Sequence, residues 1–272
     1  MSESVTRTER LAPEPAEALA HLLGVEPPTR HLPPLWHWIY LLERPPQTEL
    51  GPDGHPRSGI PAPPGPGLRR MFAGGRVTAY GQLELDRPAT RQTRVLSTQE
   101  KQGRSGPLTF VTVRHEYRQG DELVVADEAD IVYRQPGPPL TVTPGTLDMP
   151  PVTPAREPYL RLTADPTLLF RFSALTYNAH RIHYDLTWCR VEGYPDLVVH
   201  GPLQALLMGE LIRRHGGELI GRTFAYRLRA PMIGPQTFTV IAAEDGIDAG
   251  AEVRDVHDTV TATATLVPAT AG

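Results

Sequence analysis

The chain has 272 residues, of which 40% are hydrophobic and 21% are charged, and its formal net charge at pH 7 is −4. This apolar content suits packed cores and excludes general disorder, while the absence of a basic block argues against a nucleic-acid partner. No apolar run approaches the ~18 residues of a membrane helix, and the polar amino terminus is unlike a signal peptide. We therefore expect a cytoplasmic protein that does not contact membranes.

Prolines divide the chain. Eight of the 30 prolines fall between Pro45 and Pro66, and another eight fall between Pro136 and Pro158. Proline removes a backbone donor and fixes φ, so neither stretch can form a central helix or strand. The first stretch predicts a long functional or lid-like loop. The second predicts an extended linker over 136–158, between an N-terminal domain at 1–135 and a C-terminal domain at 159–272.

Hydrophobic patterning predicts the same order of elements in each half. Apolar runs predict helices at 34–43 and 202–214. Period-two alternation predicts strands at 76–85, 91–99, 108–117, 123–133, 225–231, 237–243 and 260–266, and a further strand is expected at 168–173. In each half, one predicted helix is followed by several antiparallel strands. This order predicts an α+β fold with two sheets, each of which wraps around a central helix.

A short sequence repeat supports the prediction that the two halves have the same order of elements. The sequence GRVTAY at 75–80 recurs as GRTFAY at 221–226. Each copy opens a series of predicted strands and follows a predicted helix. The matching order of elements indicates a duplication.

Chemically useful residues are concentrated in 170–208. The run TYNAHRIHYD at 176–185 is followed by LVVHGP, which leads into the second predicted helix. Pro202 suits the first helical position, and the amide of Gly201 would lie at the positive end of that helix. A backbone N–H in that place can stabilise a developing oxyanion, and glycine lets a ligand carbonyl approach closely.

The paired motifs FSALTYNAHRIHYD and GYPDLVVHGPLQALL resemble those of the MaoC-type double hot-dog hydratases and dehydratases that act on acyl thioesters. The resemblance points to the branch of hydroxyacyl-thioester dehydratase type 2 and the mesaconyl-C4-CoA and itaconyl-CoA hydratases. RRMFAGGR, EKQGRSGPLTFVTVRHE and DIVYR resemble the branch's degenerate N-terminal domain. This implies a double hot-dog fold and reversible hydration of an enoyl thioester of CoA or acyl-carrier protein, without a cofactor.

The wider family has the active-site pattern Asp-x-Asn-Pro-x-His, which places the family histidine at His183 and the family aspartate at Asn178. An amide cannot take a proton from water, but it can orient the water by hydrogen bonding. The resemblance therefore implies His183 as the acid–base residue, Asn178 as the residue that holds water, and Gly201 as the oxyanion donor. Because Asn178 replaces an acid, the alternative function is a non-catalytic acyl-thioester binding or assembly subunit.

Five further residues are candidate substrate contacts. Tyr177, Arg181 and His200 flank the motif, and Arg69 and Arg70 could bind CoA phosphates. The alternatives are an intrachain ion pair for Arg181, a loop-holding role for His200 and a solvated charge pair for Arg69 and Arg70.

Three other features have simpler interpretations. Asp185 is expected to cap a helix, and the single cysteine, Cys189, to be a small core residue. His180 and His183 form H-x-x-H, but without further ligands at suitable spacing this pattern predicts no metal. A homodimer is possible.

Overall fold

The computed structural model describes residues 4–65, 67–103 and 106–269. Within these ranges the strands are β1 (Ser4–Arg10), β2 (Arg69–Ala79), β3 (Pro88–Gly103), β4 (Gly106–Gln119), β5 (Glu122–Arg134), β6 (Tyr159–Ala164), β7 (Arg222–Leu228), β8 (Gln236–Ala243), β9 (Gly246–Arg254) and β10 (Val260–Pro268). The α-helices are α1 (Pro13–Leu23), α2 (Pro166–Thr176), α3 (Leu186–Val191) and α4 (Gly201–Arg214). Short 3-10 helices occur at Trp36–Ile39, Gln47–Glu49 and Arg181–His183. None of the helices in these ranges has the length and apolar character needed to cross a membrane.

All ten strands belong to one antiparallel sheet, in the order β1-β3-β4-β5-β2-β7-β10-β9-β8-β6. The two sheets that the sequence predicts are therefore joined edge to edge into one. Each half supplies five strands, and the halves join where β2 pairs with β7. This pairing satisfies backbone groups that two separate sheets would leave exposed along their edges.

The repeated hexapeptides meet at this junction. The first copy lies at the end of β2 and the second at the start of β7, where Val77 faces Phe224 and Thr78 faces Thr223. The hydroxyl oxygens of the two threonines lie 2.8 Å apart. From this pair the strand order runs outward through equivalent strands in both directions. The arrangement is the one that a duplication with two-fold pseudosymmetry would produce.

The predicted helix at 202–214 is α4, and it is the central helix of the C-terminal half. Every residue from Leu203 to Ile212 is buried, and the helix packs on strands β7 to β10. A helix buried on all sides needs an enclosing sheet, which these four strands supply.

The helix predicted at 34–43 is wrong. The chain forms only the 3-10 helix Trp36–Ile39, bounded by Leu35 at φ 72° and Leu41 at φ 54°. A residue in this left-handed region cannot continue a right-handed helix. Trp36 Nε1 donates to Glu210 Oε1 at 2.9 Å, so this short helix packs against α4 of the other half.

The strand predicted at 168–173 is also wrong, because these residues belong to α2. Asp165 Oδ1 accepts the Leu168 N–H at 2.7 Å, and a proline occupies the first helical turn. A short apolar run has no decisive periodicity, and the capping aspartate followed by proline was the better signal.

The proline-rich segment between β5 and β6 contains no helix or strand. It is nevertheless bonded to the C-terminal half, since Leu140 N donates to Gly193 O and Gly145 N donates to Ile233 O, both at 2.8 Å. The connection therefore lies along the C-terminal half rather than standing apart from it.

Candidate active site

His183 ends the 3-10 helix that follows α2, and only 7% of its surface is exposed. Its Nδ1 lies 2.7 Å from Val198 O. A carbonyl oxygen can only accept, so Nδ1 carries the hydrogen and Nε2 keeps its lone pair. Burial lowers the pKa of His183 to about 3. The imidazole is therefore neutral at pH 7 and can accept a proton through Nε2.

His200 stacks on His183, with ring centroids 3.6 Å apart and planes tilted by 18°. It is fully buried, and its Nε2 lies 2.8 Å from Ser173 Oγ. Burial lowers the pKa of His200 well below its usual value. Within the described part of the chain, its Nδ1 has no hydrogen-bond partner. These contacts hold the loop before α4, which was one of the two interpretations of His200.

Gly201 is the first residue of α4 and directly follows His200. The first N–H groups of a helix have no intrahelical acceptor, and the helix dipole makes this end partially positive. A Cβ at position 201 would lie 2.2 Å from Leu228 Cδ1, so a larger residue there would require the Leu228 side chain to move. A buried histidine pair thus adjoins a helix start suited to bind an oxyanion.

Asn178 lies in the turn that ends α2. Its Oδ1 accepts the His180 N–H at 3.0 Å, and its own N–H donates to Ser173 O at 2.8 Å. Because a backbone N–H can only donate, the atom facing it must be the amide oxygen. The amide nitrogen is therefore the end left to orient water. The preceding Tyr177 has φ 51° and is 54% exposed, unlike the buried histidines.

The long proline-rich loop brings residues of the N-terminal half to this segment. Gly54 adopts φ +91°, and a Cβ there would lie 1.8 Å from Ala179 O. The Arg181 N–H donates to Asp53 O at 2.9 Å. Sequence reasoning singled out the loop but not its residues; the run Asp-Gly-His among prolines was the available signal.

A row of imidazoles connects the loop to His183. The rings of His55 and His180 have centroids 4.2 Å apart, and those of His180 and His183 are 5.7 Å apart. His55 Nδ1 lies 2.9 Å from Asp53 Oδ2, and His180 Nε2 lies 3.0 Å from Glu192 Oε1. The His55 hydrogen bonds lower the pKa of Asp53 to about 2 despite its partial burial. His55 and His180 are therefore each oriented by an ionised carboxylate.

Asp53, His55 and His180 are the residues that could hold a metal, since one ligand atom from each lies within 4.8 Å of the others. The existing bonds compete with this, because Asp53 already accepts from His55 Nδ1 and His180 is bonded to Glu192. This set of three residues differs from the H-x-x-H pair of the sequence analysis, His180 and His183, because it includes His180 but not His183.

Arg181 takes part in an intrachain ion pair, one of its two expected roles. Its Nε and Nη2 lie 3.0 and 2.6 Å from Asp185 Oδ2. Its guanidinium lies 4.3 Å from the centre of the Trp188 ring. Asp185 caps α3, as expected, by accepting the Trp188 N–H at 3.0 Å. Cys189 is buried, and this burial raises the pKa of its thiol to about 12.

Arg69 and Arg70 have different surroundings and do not form a solvated pair. Arg69 donates to the backbone oxygens of Glu192 and Val191, where carbonyls at the end of a helix lack intrahelical donors. Arg70 instead lines a cavity of about 150 Å³ together with Asp53, His55 and Arg57.

A larger groove of about 480 Å³ crosses the junction of the two halves. It is lined by Ala73, Arg76, Leu96, Ser97, Gln99, Lys101, Phe110, Thr112, Asp130, Arg227, Leu228 and Arg229. Leu228 is also the residue against which Gly201 packs. Arg227 alternates with Leu228 along β7, so Arg227 and the other basic side chains of the groove lie on the face of the sheet opposite to α4.

Comparison with known proteins agrees with this geometry. A mesaconyl-C(4)-CoA hydratase of Chloroflexus aurantiacus is 44% identical over 261 residues, covering 92% of this chain and 91% of the relative. HtdX of Mycobacterium tuberculosis has the same fold, with a TM-score of 0.68, 16% identity and coverage of 98% of this chain and 100% of that chain. Another protein of that organism, described as a double hotdog fold, gives a TM-score of 0.53, 16% identity and coverage of 98% and 96%.

These likenesses confirm the predicted double hot-dog fold. The family model described as hydroxyacyl-thioester dehydratase type 2 matches residues 35–234, which is most of the chain. The chain belongs to the hydroxyacyl-thioester dehydratase type 2 family.

Proposed function

We propose that this protein is a hydro-lyase that reversibly adds water to an enoyl thioester of CoA, with a C5 dicarboxylic acyl group as in mesaconyl-C4-CoA. One observation carries the proposal. A buried neutral histidine, His183, stacks on the residue that immediately precedes the helix start at Gly201. A proton acceptor and an oxyanion donor thus lie side by side.

The reaction needs both groups. When water adds to the β-carbon, negative charge develops on the thioester oxygen, and the N–H of Gly201 at the positive end of α4 stabilises it. His183 Nε2 takes a proton from the attacking water and then delivers a proton to the α-carbon. The amide nitrogen of Asn178 donates a hydrogen bond that orients the water. Dehydration follows the same path in reverse.

The groove across the sheet junction suits CoA. Arg227 and Arg229 are exposed at its C-terminal side, and Lys101 lies 4.9 Å from the Phe110 ring centre on the other side. Basic side chains bind phosphate groups well, and the exposed Leu96 offers an apolar contact for the pantetheine arm. This assignment places the CoA phosphates here rather than at Arg69 and Arg70.

The acyl group is inferred from the Chloroflexus relative, whose name specifies mesaconyl-C(4)-CoA and which matches 92% of this chain. CoA is favoured over acyl-carrier protein for the same reason. A homodimer and a cytoplasmic location stay predictions from the sequence.

The test is hydration of a panel of enoyl-CoA substrates by the purified full chain, followed by loss of enoyl absorbance. We expect turnover of mesaconyl-C4-CoA and slower turnover of crotonyl-CoA. A folded protein that binds acyl-CoA but hydrates no member of the panel would instead identify a non-catalytic binding subunit.

A further inference from the structure

The smaller cavity lies beside the row of imidazoles and not in the large groove. It is formed by the proline-rich loop and by Arg70 of β2, and its volume is about 150 Å³. The space is large enough for a carboxylate and the carbon that carries it.

Arg70 supplies this cavity with an unusual positive charge. Within residues 4–65, 67–103 and 106–269, no carboxylate oxygen lies within 4.0 Å of its guanidinium. Burial lowers the pKa of Arg70, which shows that its charge is poorly solvated. By contrast, the buried Arg91 is paired with Glu43 at 3.1 Å. A partly buried guanidinium that no carboxylate contacts directly can be stabilised further by an anionic ligand.

The other charged groups around the cavity leave it net positive. Arg57 adds a second cation at the exposed rim. Asp53 is the one carboxylate among the lining residues, and it already accepts two hydrogen bonds from His55, at 3.0 Å from the backbone N–H and 2.9 Å from Nδ1. Burial lowers the pKa of His55, so its ring adds no positive charge at pH 7. Two arginines therefore line the cavity with one carboxylate, while the nearby Glu43 is paired with Arg91.

The cavity also has the right neighbours for substrate selection. His55 lines it and contacts His180, which in turn contacts His183. In mesaconyl-C4-CoA the free carboxylate is bonded to the β-carbon, the carbon that water attacks. The cavity therefore adjoins the row of imidazoles that ends at His183.

We propose that Arg70, assisted by Arg57, binds the free carboxylate of a dicarboxylic enoyl-CoA and so selects this substrate class over uncharged enoyl-CoA. The inference rests on the proposed hydro-lyase activity. A guanidinium binds a carboxylate through two parallel charge-assisted hydrogen bonds, which lysine cannot reproduce. The CoA phosphates are the competing source of an anion, and the experiment distinguishes the two.

The experiment compares kcat/KM for mesaconyl-C4-CoA and crotonyl-CoA in the wild type, Arg70→Gln and Arg70→Lys. Crotonyl-CoA lacks the second carboxylate but keeps the same CoA. We expect Arg70→Gln to lower kcat/KM for mesaconyl-C4-CoA by about 100-fold and for crotonyl-CoA by less than about threefold. Arg70→Lys should give an intermediate loss on the dicarboxylic substrate only. The control is Arg30→Gln, because Arg30 is 72% exposed and lies far along the chain from the site.

Equal losses on both substrates in Arg70→Gln would overturn the proposal, because they would indicate CoA binding or a structural role. Should the Arg70 variants not fold, Arg57→Gln at the exposed rim provides the test. It should lower kcat/KM about threefold to tenfold for mesaconyl-C4-CoA alone, and an unchanged or equal effect on both substrates would overturn the proposal. If the wild type hydrates neither substrate, the hydro-lyase assignment itself fails, and this result differs from any loss of selectivity.

Discussion

The C-terminal half of the sheet encloses the fourteen-residue helix α4, whereas the helical residues that the N-terminal half buries belong to the four-residue 3-10 helix Trp36–Ile39 and to α1, which packs on α2 of the C-terminal half. Both halves nevertheless bury histidines beside other polar groups. In the N-terminal half, Trp38 Nε1 donates to Asp127 Oδ2 at 2.8 Å and His37 Nε2 lies 3.4 Å from the same oxygen. In the C-terminal half, His183 and His200 stack beside the start of α4.

The different surroundings of these two histidine clusters explain why we propose the catalytic residues in the C-terminal half. In the N-terminal cluster, His37 Nε2 and Trp38 Nε1 are both directed at Asp127 Oδ2, a buried carboxylate oxygen of the same half. The C-terminal cluster keeps a free acceptor at His183 Nε2 and adjoins backbone N–H groups at a helix start. A buried histidine alone provides no oxyanion stabilisation, and the helix start does. The N-terminal half contributes instead the proline-rich loop with Asp53 and His55, together with Arg70, and these residues border the site.

The largest effect expected from this comparison is the loss of His183. His183→Ala should lower turnover by at least about 100-fold without changing the fold, because it removes the acid–base group. The measurement is loss of enoyl absorbance at saturating substrate, with circular dichroism as the fold check. His37→Gln in the N-terminal cluster is the matched variant, and it should keep its turnover per folded molecule. Near-wild-type turnover in His183→Ala would remove the central claim.

Asn178 should have the next largest effect. Asn178→Ala should lower turnover about tenfold or more, because the water is no longer oriented. Asn178→Asp should stay active, since one carboxylate oxygen can keep the hydrogen bond to the His180 N–H. Its negative charge should raise the pKa of His183, which burial holds at about 3. The neutral imidazole is the active form, so activity should be lost at a higher pH on the acid side.

These two variants and the wild type are measured as pH–rate profiles from about pH 2.5 to about pH 9, so that the acid limb set by the His183 pKa of about 3 lies within the range. An Asn178→Ala variant as fast as the wild type would show that the residue only shapes the turn. If the acid limb of the Asn178→Asp profile lies at the same pH as in the wild type, the new carboxylate is too far from His183 to raise its pKa.

The N-terminal cluster should matter for stability rather than turnover. Asp127→Ala leaves Trp38 Nε1 and His37 without their shared buried acceptor, which should lower the free energy of unfolding by roughly 1–3 kcal/mol. Urea unfolding measures this change, and Asp121→Ala at the exposed turn after β4 is the control. A specific loss of kcat in folded Asp127→Ala would mean that the two clusters do not divide the roles as described.

The smallest effect is expected from metal removal. Activity should be unchanged after dialysis against a strong chelator, because the proposed steps use only His183, Asn178 and the N–H of Gly201. Loss of activity that is restored by zinc would indicate that Asp53, His55 and His180 bind a metal that the reaction needs.

The sequence by itself determined the elements whose signals are local. The strand alternation, the apolar run of α4 and Asp185 as a helix cap depend on neighbouring residues, and the structure confirms them. The motif 176–185 also led to His183, through its resemblance to the family's active-site pattern, and the catalytic role of His183 stays a prediction. The 34–43 helix failed since the left-handed residues Leu35 and Leu41 are stabilised by burial in the assembled core.

Only the tertiary structure decided which distant residues border the site. Asp53 and His55 lie more than a hundred residues from His180, and their approach depends on Gly54 packing against Ala179. The different roles of Arg69 and Arg70 could not be read from adjacent identical residues, because alternate residues of a strand face opposite sides. Pairing of β2 with β7 joins the halves into one sheet, and that pairing creates the groove and brings the N-terminal loop to the catalytic segment.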